Sequence, residues 1–210
     1  MKTLVNIAVP IERMNDLHGI AANELGISQD AIRRVEILRR SIDARQRTPR
    51  WVMNLGVIMV GEEEVAVESA PIEIPVVANA KKQVVIVGTG PAGLFAALRF
   101  ADAGIPVTVV ERGGIMDDRH KRARTLRASG ELDPECNLCF GEGGAGTYSD
   151  GKLYTRKRSQ RVKRVYARLV EFGASPEILI DAHPHIGTNR IIPVISAMRE
   201  WLKSRGVGSV

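Results

Sequence analysis

Aromatic residues, cysteines and long apolar runs are all scarce in this chain of 210 residues. Because aromatic residues make up only 4% of the sequence, a packed core must be mostly aliphatic. No apolar run approaches the roughly 18 residues that a transmembrane helix needs, so we expect no membrane span. The apolar stretch before Pro10 is too short for a signal peptide and favours a strand. Two cysteines without an export signal predict a cytoplasmic protein.

The net charge of +6 is distributed unevenly along the chain. Residues 1–80 contain 9 basic and 11 acidic residues, whereas residues 81–210 contain 21 basic and 13 acidic residues. A basic half is typical of nucleic-acid binding, and it is equally compatible with a ligand that carries two phosphates. Composition alone leaves both alternatives open.

Residues 1–78 predict a small α+β domain, followed by a linker that reaches residue 82. Alternating or continuous apolar residues predict strands at Leu4–Val9, Val35–Leu38 and Trp51–Met59. Helical spacing of apolar residues predicts a helix over Met14–Leu25, which Gly26 would end. The basic stretch 39–50 is expected to be exposed, residues 62–64 to form a polar turn, and the proline-containing segment 69–82 to form the linker.

Residues 83–210 predict the N-terminal part of an FAD-binding, Rossmann-like domain, so the fold class is α/β with a partial parallel sheet. The apolar strand Val84–Val87 is expected to be buried on both faces. A glycine-rich turn, a helix and a second strand at Pro106–Val110 complete a βαβ unit. Two later helices are predicted, an amphipathic one ended by Gly173 and one at about Ile191–Ser204, and a third parallel strand should start near the C-terminus.

The turn between the two strands carries the sequence GTGPAG, the glycine pattern of dinucleotide-binding folds. Gly88 permits the tight turn, Gly90 lets the backbone approach a pyrophosphate, and Gly93 allows close packing of helix on strand. Pro91 and Ala92 lie at the start of the helix, where free N–H groups and the positive helix end attract phosphate. Glu111 ends the second strand, where its carboxylate can accept hydrogen bonds from both ribose hydroxyls.

The same pattern serves NAD and FAD, although Glu111 disfavours NADP because it would repel a 2′-phosphate. A second glycine-rich segment, FGEGGAGTYSDGKL at residues 140–153, favours FAD. Many flavoproteins place such a stretch near the pyrophosphate and ribityl groups. Its candidate contacts are Gly143, Gly144, Gly146, Thr147 and Lys152.

Three segments together resemble the uncharacterised bacterial FAD-dependent dehydrogenases, which have a glutathione-reductase-like FAD/NAD(P)-binding fold. They are QVVIVGTGPAGLFAALRFADAGIPVTVVERG, ECNLCFGEGGAGTYSDGKLYTR and DAHPHIGTNR. The resemblance is strongest over residues 83–190, and Arg112, next to Glu111, is a further candidate cofactor contact. The chain departs from the family pattern at Cys139 and Asn189.

The resemblance implies an FAD-dependent oxidoreductase with a small-molecule substrate, and it leaves NAD(P)H open as electron partner. Members of the family are much longer than 210 residues, so the chain is expected to be an N-terminal fragment. The catalytic groups would then lie beyond Val210, and no residue here is assigned to the chemical step. The alternatives are a non-catalytic dinucleotide-binding module and a nucleic-acid-associated protein that uses the basic face.

Weaker signals have simpler structural explanations. Cys136 and Cys139 form a CxxC pattern, but a structural role is favoured over a redox pair and no metal site is predicted. His185 could stand near the flavin, while a loop histidine bonded to backbone is an equal alternative. The basic segment Arg156–Arg168 is expected to form the solvated face of its helix. Few aromatic residues interleave with these charges, which disfavours nucleic acid as a partner.

Overall fold

The computed structural model describes residues 1–62, 74–157 and 159–209, which form two compact units. The first unit contains the described residues up to 62 together with Pro176–Pro184. The second contains the remaining described residues before 176 and after 184. The sequence division placed all residues from 83 onward in one domain. It therefore did not anticipate that Pro176–Pro184 belongs to the N-terminal unit.

The first unit is a three-stranded antiparallel sheet with one helix. Strands β1 (Lys2–Pro10), β2 (Ile32–Asp43) and β3 (Arg50–Met59) are arranged in the order β1-β3-β2. Helix α1 (Leu17–Leu25) begins after Asp16, whose carboxylate accepts a hydrogen bond from the Gly19 N–H at 3.2 Å. It ends at Gly26, which has a left-handed backbone. The aliphatic core is centred on Val9, Ile20, Met53 and Leu55.

The basic stretch 39–50 is not simply an exposed loop, because β2 continues to Asp43. The backbone of Arg40 exchanges hydrogen bonds with Ile180 and Ala182 at 2.8 and 2.9 Å. Its guanidinium donates to Asp181 at 2.6 Å and to Glu177 at 2.8 Å. Arg40 therefore anchors the segment Pro176–Pro184 to the edge of the sheet.

The second unit contains a small parallel sheet. Strands β4 (Val84–Val87), β5 (Val107–Val110) and β6 (Gly208–Ser209) pair in parallel in the order β4-β5-β6. Helix α2 (Pro91–Asp102) connects β4 to β5, and its buried residues are Leu94, Ala97 and Leu98. The fold class is therefore mixed α/β, with a β–α–β connection at the glycine turn.

Strand β4 differs from the expectation that both of its faces are buried. Val85 and Val87 lie on one face and are 61% and 83% exposed. Strand β5 is more enclosed, since Val107 and Val109 are buried. The apolar sequence of β4 correctly predicted a parallel strand, but only its alternate residues are even partly covered in this chain.

Three further helices complete the second unit: α3 (Met116–Ser129), α4 (Gln160–Glu171) and α5 (Thr188–Ser204). Helix α5 buries Ile195, Met198 and Leu202, as its spacing predicted. Helix α3 was not predicted, because MDDRHKRARTLRAS has few apolar residues and no clear apolar face. Across the described ranges, none of the helices has the length and apolar character needed to cross a membrane.

Candidate cofactor site

The turn Gly88–Gly93 joins β4 to the N-terminus of α2 and depends on its glycines. Gly88 has a φ of +94°, and its N–H donates to the Val110 carbonyl at 2.7 Å. A Cβ on Gly93 would lie 1.9 Å from the Gly88 carbonyl oxygen, so only glycine fits. A Cβ on Gly90 would meet nothing within 4 Å. Gly90 thus lies beside open space at the start of a helix, where a phosphate would meet the first N–H groups.

The first helical positions of α2 suit this role. Pro91 is the first residue of α2, where its missing N–H costs no helical hydrogen bond. Ala92 follows it and is exposed, so its small side chain leaves the helix end accessible. Because the N–H groups of the first turn have no acceptor within the helix, they can serve an anion.

The Glu111 carboxylate lies directly beside this turn. It accepts hydrogen bonds from the Thr89 N–H at 2.6 Å, the Thr89 hydroxyl at 2.5 Å and the Gly113 N–H at 2.8 Å. Burial alone would raise the pKa of the Glu111 carboxyl, but the hydrogen bonds from Thr89 and Gly113 outweigh burial and lower the pKa below its ordinary value. The side chain is therefore ionised at neutral pH and held in a fixed position.

A cavity of about 440 Å³ opens beside Glu111, a size typical of small-molecule sites. Its walls come from the glycine turn, from α2, from α5 and from the strands β5 and β6. Apolar groups such as Leu94, Val109 and Val207 line it together with five charged residues: Glu111, Asp118, Glu142, Arg199 and Lys203. The combination suits a ligand that has both an apolar ring and hydroxyl groups.

The second glycine-rich segment reaches the first one. The Gly143 N–H donates to the Thr89 carbonyl at 2.8 Å. A Cβ on Gly144 would lie 3.2 Å from the Gly90 Cα, and one on Gly146 would lie 3.9 Å from the Pro91 ring. Two segments more than 50 residues apart in sequence therefore converge on the N-terminus of α2.

The buried guanidinium of Arg119 in α3 holds this second segment. Arg119 has no exposed surface, and it donates to the carbonyls of Asn137, Leu138, Glu142 and Gly144 and to the Thr147 hydroxyl. Its guanidinium also lies 4.9 Å from the centre of the Tyr148 ring. Burial lowers the pKa of Arg119, although a guanidinium remains protonated in proteins. The guanidinium therefore holds the second segment in place through hydrogen bonds to several carbonyl oxygens.

The buried Glu142 joins three elements of the site. Its carboxylate accepts from the Met116 N–H at the start of α3 at 2.8 Å and from the Arg199 guanidinium of α5 at 2.5 Å. Sequence reasoning missed Arg119, Glu142 and Arg199, because no spacing rule links them. The glutamate within a glycine-rich run was the available signal for Glu142, whereas Arg119 is one of four arginines on α3 and nothing in the sequence marks it out.

Three predicted contact residues have partners within the protein. The Thr147 side chain is fully buried and bonds to Arg119 and to the Glu142 carbonyl. Lys152 is exposed and pairs with Asp150 at 2.7 Å. Arg112 pairs with Glu135 at 2.6 Å and lies 4.6 Å from the Phe140 ring centre. For these three side chains, direct contact with a cofactor stays a prediction.

The two cysteines and His185 were weaker candidates for a functional role. Cys136 is buried, and its sulfur accepts a hydrogen bond from the Gly114 N–H at 3.3 Å, while Cys139 is exposed; both are free thiols. The His185 ring bonds to the Asp150 backbone carbonyl, which matches the alternative of a histidine satisfied by backbone. A redox role for the thiols stays untested.

Helix α4 does not present all of its arginines to solvent, in contrast to the expectation from sequence. The Arg164 and Arg168 side chains are only 27% and 16% exposed. Both face Asp102 near the end of α2, at 3.8 and 3.5 Å. The basic face is therefore partly a packed surface against α2.

Known proteins match both parts of the chain. A family described as "FAD binding domain" matches residues 81–129, and a domain of unknown function (DUF8436) matches residues 1–58. An uncharacterized protein of Clostridium beijerinckii (strain ATCC 51743 / NCIMB 8052) is 33% identical over 207 residues. The alignment covers 92% of this chain and 39% of that protein, so the chain spans about two fifths of the relative's length. The match over residues 81–129 includes the GTGPAG turn and Glu111, and it confirms the prediction of FAD as the cofactor.

Proposed function

We propose that the second unit is a Rossmann-type domain that binds the ADP half of FAD. The pyrophosphate would lie against Gly90 and the first turn of α2, with Gly144 and Gly146 beside it. The observation that carries this proposal is the meeting of two glycine-rich segments at one helix N-terminus, with the Glu111 carboxylate alongside. The open space at Gly90 is what close approach of a pyrophosphate requires.

Glu111 would bind the adenosine ribose. A carboxylate has about four acceptor positions, and the Glu111 oxygens accept three hydrogen bonds from Thr89 and Gly113. A ribose hydroxyl can occupy the remaining position or replace the Thr89 hydroxyl. The adenine would extend into the neighbouring cavity, where Leu94, Val109 and Val207 supply apolar surface.

We further propose that this unit belongs to an FAD-dependent oxidoreductase of the dehydrogenase type. A bound flavin supplies hydride-transfer chemistry, while the protein supplies binding, orientation and electrostatics. The described residues serve binding, and we assign none of them to the chemical step. A small-molecule substrate and NAD(P)H as electron partner belong to this proposal.

Competition between ligands tests the binding mode. FAD and ADP should compete for one site on the 210-residue chain, whereas FMN should not displace ADP, because FMN lacks the adenosine and pyrophosphate groups. FAD titration monitored by flavin fluorescence, with ADP and FMN as competitors, measures this directly. Displacement of FAD by FMN but not by ADP would contradict the assignment.

Flavin reduction separates the enzyme from a non-catalytic module. If the protein binds FAD for oxidoreduction, NADH or NADPH should bleach the bound flavin under anaerobic conditions faster than free FAD. Equal rates for bound and free FAD would favour a non-catalytic dinucleotide-binding module. That result would leave the binding assignment intact.

A further inference from the structure

A second cavity lies between α2 and α4, and its walls are rich in arginine. Its volume is about 430 Å³. Four arginines line it: Arg99, Arg161, Arg164 and Arg168. Among the described residues that form its wall, Asp102 is the one carboxylate. Its apolar wall consists of Phe95, Leu98 and Val165. None of these residues lines the cavity beside Glu111.

Two of these arginines carry buried nitrogen atoms without hydrogen-bond partners among the described residues. They are the Nη1 atom of Arg99 and the Nε atom of Arg168. A buried charged donor without an acceptor is costly, and native proteins rarely leave one unmatched. These two nitrogens are buried in the wall of the cavity, so the wall carries positive charge whose hydrogen bonds the described residues do not complete.

The charges in the cavity are also unbalanced. Asp102 pairs with both Arg164 and Arg168, at 3.8 and 3.5 Å, and Glu171 bonds to Arg168 from outside the cavity wall. Burial, and next the nearby charge of Arg99, lower the pKa of Arg164. Among the described residues that form the wall, four arginines therefore stand against one carboxylate, and an anion would reduce the repulsion between the arginines.

We propose that this cavity binds a small molecule that carries a diphosphate group. Guanidinium groups match phosphate oxygens with paired hydrogen bonds, and several arginines converging on one point suit a multiply charged phosphate better than a carboxylate. The volume exceeds what one phosphate fills, and Phe95 with Leu98 provides an apolar surface for an organic group. A cavity of about 430 Å³ has the size of a small-molecule site, whereas a nucleic acid would track an extended basic groove.

Calorimetric titration with inorganic pyrophosphate and with ADP tests the proposal. The titrations are made in the Gly90→Val variant, because this substitution should prevent binding at the proposed FAD site. If Gly90→Val does not reduce FAD binding, the proposed FAD site is wrong, and that result is separate from the test of the second cavity. One saturable site should remain in Gly90→Val. Adding Arg99→Gln or Arg164→Gln should weaken it about tenfold or more, since each removes hydrogen bonds to a charged group.

Lys163→Gln is the matched control, because Lys163 is an exposed cation on the same helix α4 and lies outside the cavity. It should leave the affinity unchanged. Equal weakening by Lys163→Gln and Arg164→Gln would overturn the proposal, because it would show that the overall positive charge of the surface attracts the anion. The absence of a saturable site would overturn it too.

The two probes also distinguish the kind of ligand. Tighter binding of ADP than of pyrophosphate would indicate an organic ligand, and equal binding would indicate an inorganic one; both results support the site.

Thermal melting provides a readout that does not depend on affinity. Arg99→Gln removes a buried nitrogen that lacks an acceptor, so its melting temperature without ligand should equal or exceed that of the parent chain. Pyrophosphate should raise the melting temperature of the parent but not of Arg99→Gln. A strongly destabilised Arg99→Gln variant would show that protein groups already form hydrogen bonds with this guanidinium and would contradict the proposal.

Binding of single-stranded RNA separates a small ligand from a nucleic acid. RNA that binds more tightly with increasing length, and more tightly than pyrophosphate, would assign the arginines to nucleic acid instead.

Discussion

The two glycine-rich segments of the second unit converge on one helix N-terminus, but the protein holds them there in different ways. The first segment, Gly88–Gly93, is fixed by the end of β4, the start of α2 and a backbone hydrogen bond to Val110. In the second segment, residues 141–147 lie in no strand and are held mainly by the buried Arg119 guanidinium. Both segments can be recognised in sequence by their glycines, but the residue that holds the second one cannot, because Arg119 is distant in sequence and follows no spacing rule.

Replacing Arg119 should have the largest effect on stability. The substitution removes the hydrogen bonds that hold the second glycine-rich segment and leaves the first segment intact. In Arg119→Met, four carbonyls and the Thr147 hydroxyl lose a donor, which should cost about 3 kcal/mol or more in the free energy of unfolding. Denaturant unfolding measures the loss. Arg124→Met, an exposed position on the same helix, should change stability by less than about 0.5 kcal/mol. Equal stability of both variants would mean that the second segment supports itself.

Replacing Gly90 should affect the ligand and spare the fold. Its φ of −64° suits any residue, and a Cβ there meets no protein atom within 4 Å. Gly90→Val should therefore melt close to the parent temperature and lose FAD affinity by more than about a hundredfold, since the side chain occupies the space of the pyrophosphate. FAD titration and thermal melting of the same sample give both numbers. A folded variant that retains full FAD affinity would refute the assignment of the first segment.

Replacing Glu111 should produce an intermediate loss of binding. Glu111→Ala removes a charge-assisted hydrogen bond to ribose, worth roughly 1.5 to 3 kcal/mol, so FAD should bind about ten- to a hundredfold more weakly. Glu111→Gln keeps the shape and should lose less. Unchanged FAD affinity in a folded Glu111→Ala variant would show that this carboxylate does not contact the ribose.

The smallest expected effect is a dependence of stability on pH through Glu111. Its pKa is lower in the folded state than the ordinary value, so its contribution to stability is complete above the ordinary glutamate pKa of about 4.3. The contribution should decline as the pH falls from there through the lowered folded pKa. Melting temperatures of the parent and of Glu111→Gln, compared between pH 3 and pH 7, should converge at the acid end. A constant difference across that range would contradict the pKa shift.

Local chemistry made much of the fold predictable. Apolar spacing placed α1 and α5, strand composition placed β4 and β5, and Gly26 ended a helix through its left-handed backbone. The GTGPAG turn was recognisable because Gly88 and Gly93 answer local requirements, namely the positive φ at Gly88 and the 1.9 Å approach at Gly93, while Gly90 leaves space for the ligand. This turn and the second glycine-rich segment at residues 140–153 together led to the FAD prediction, which the family match over residues 81–129 confirms.

The sequence by itself determined these elements because periodicity and backbone sterics act over a few residues. Only the tertiary structure decided that Arg119 reaches residues 137–147, that Glu142 joins α3 to Arg199, and that Arg164 and Arg168 turn toward Asp102. Buried polar groups must find partners wherever the chain brings them, and a long arginine side chain can find them far away in sequence. Helix α3 has little apolar periodicity and could not be predicted from the sequence, although its Arg119 holds the second glycine-rich segment in place.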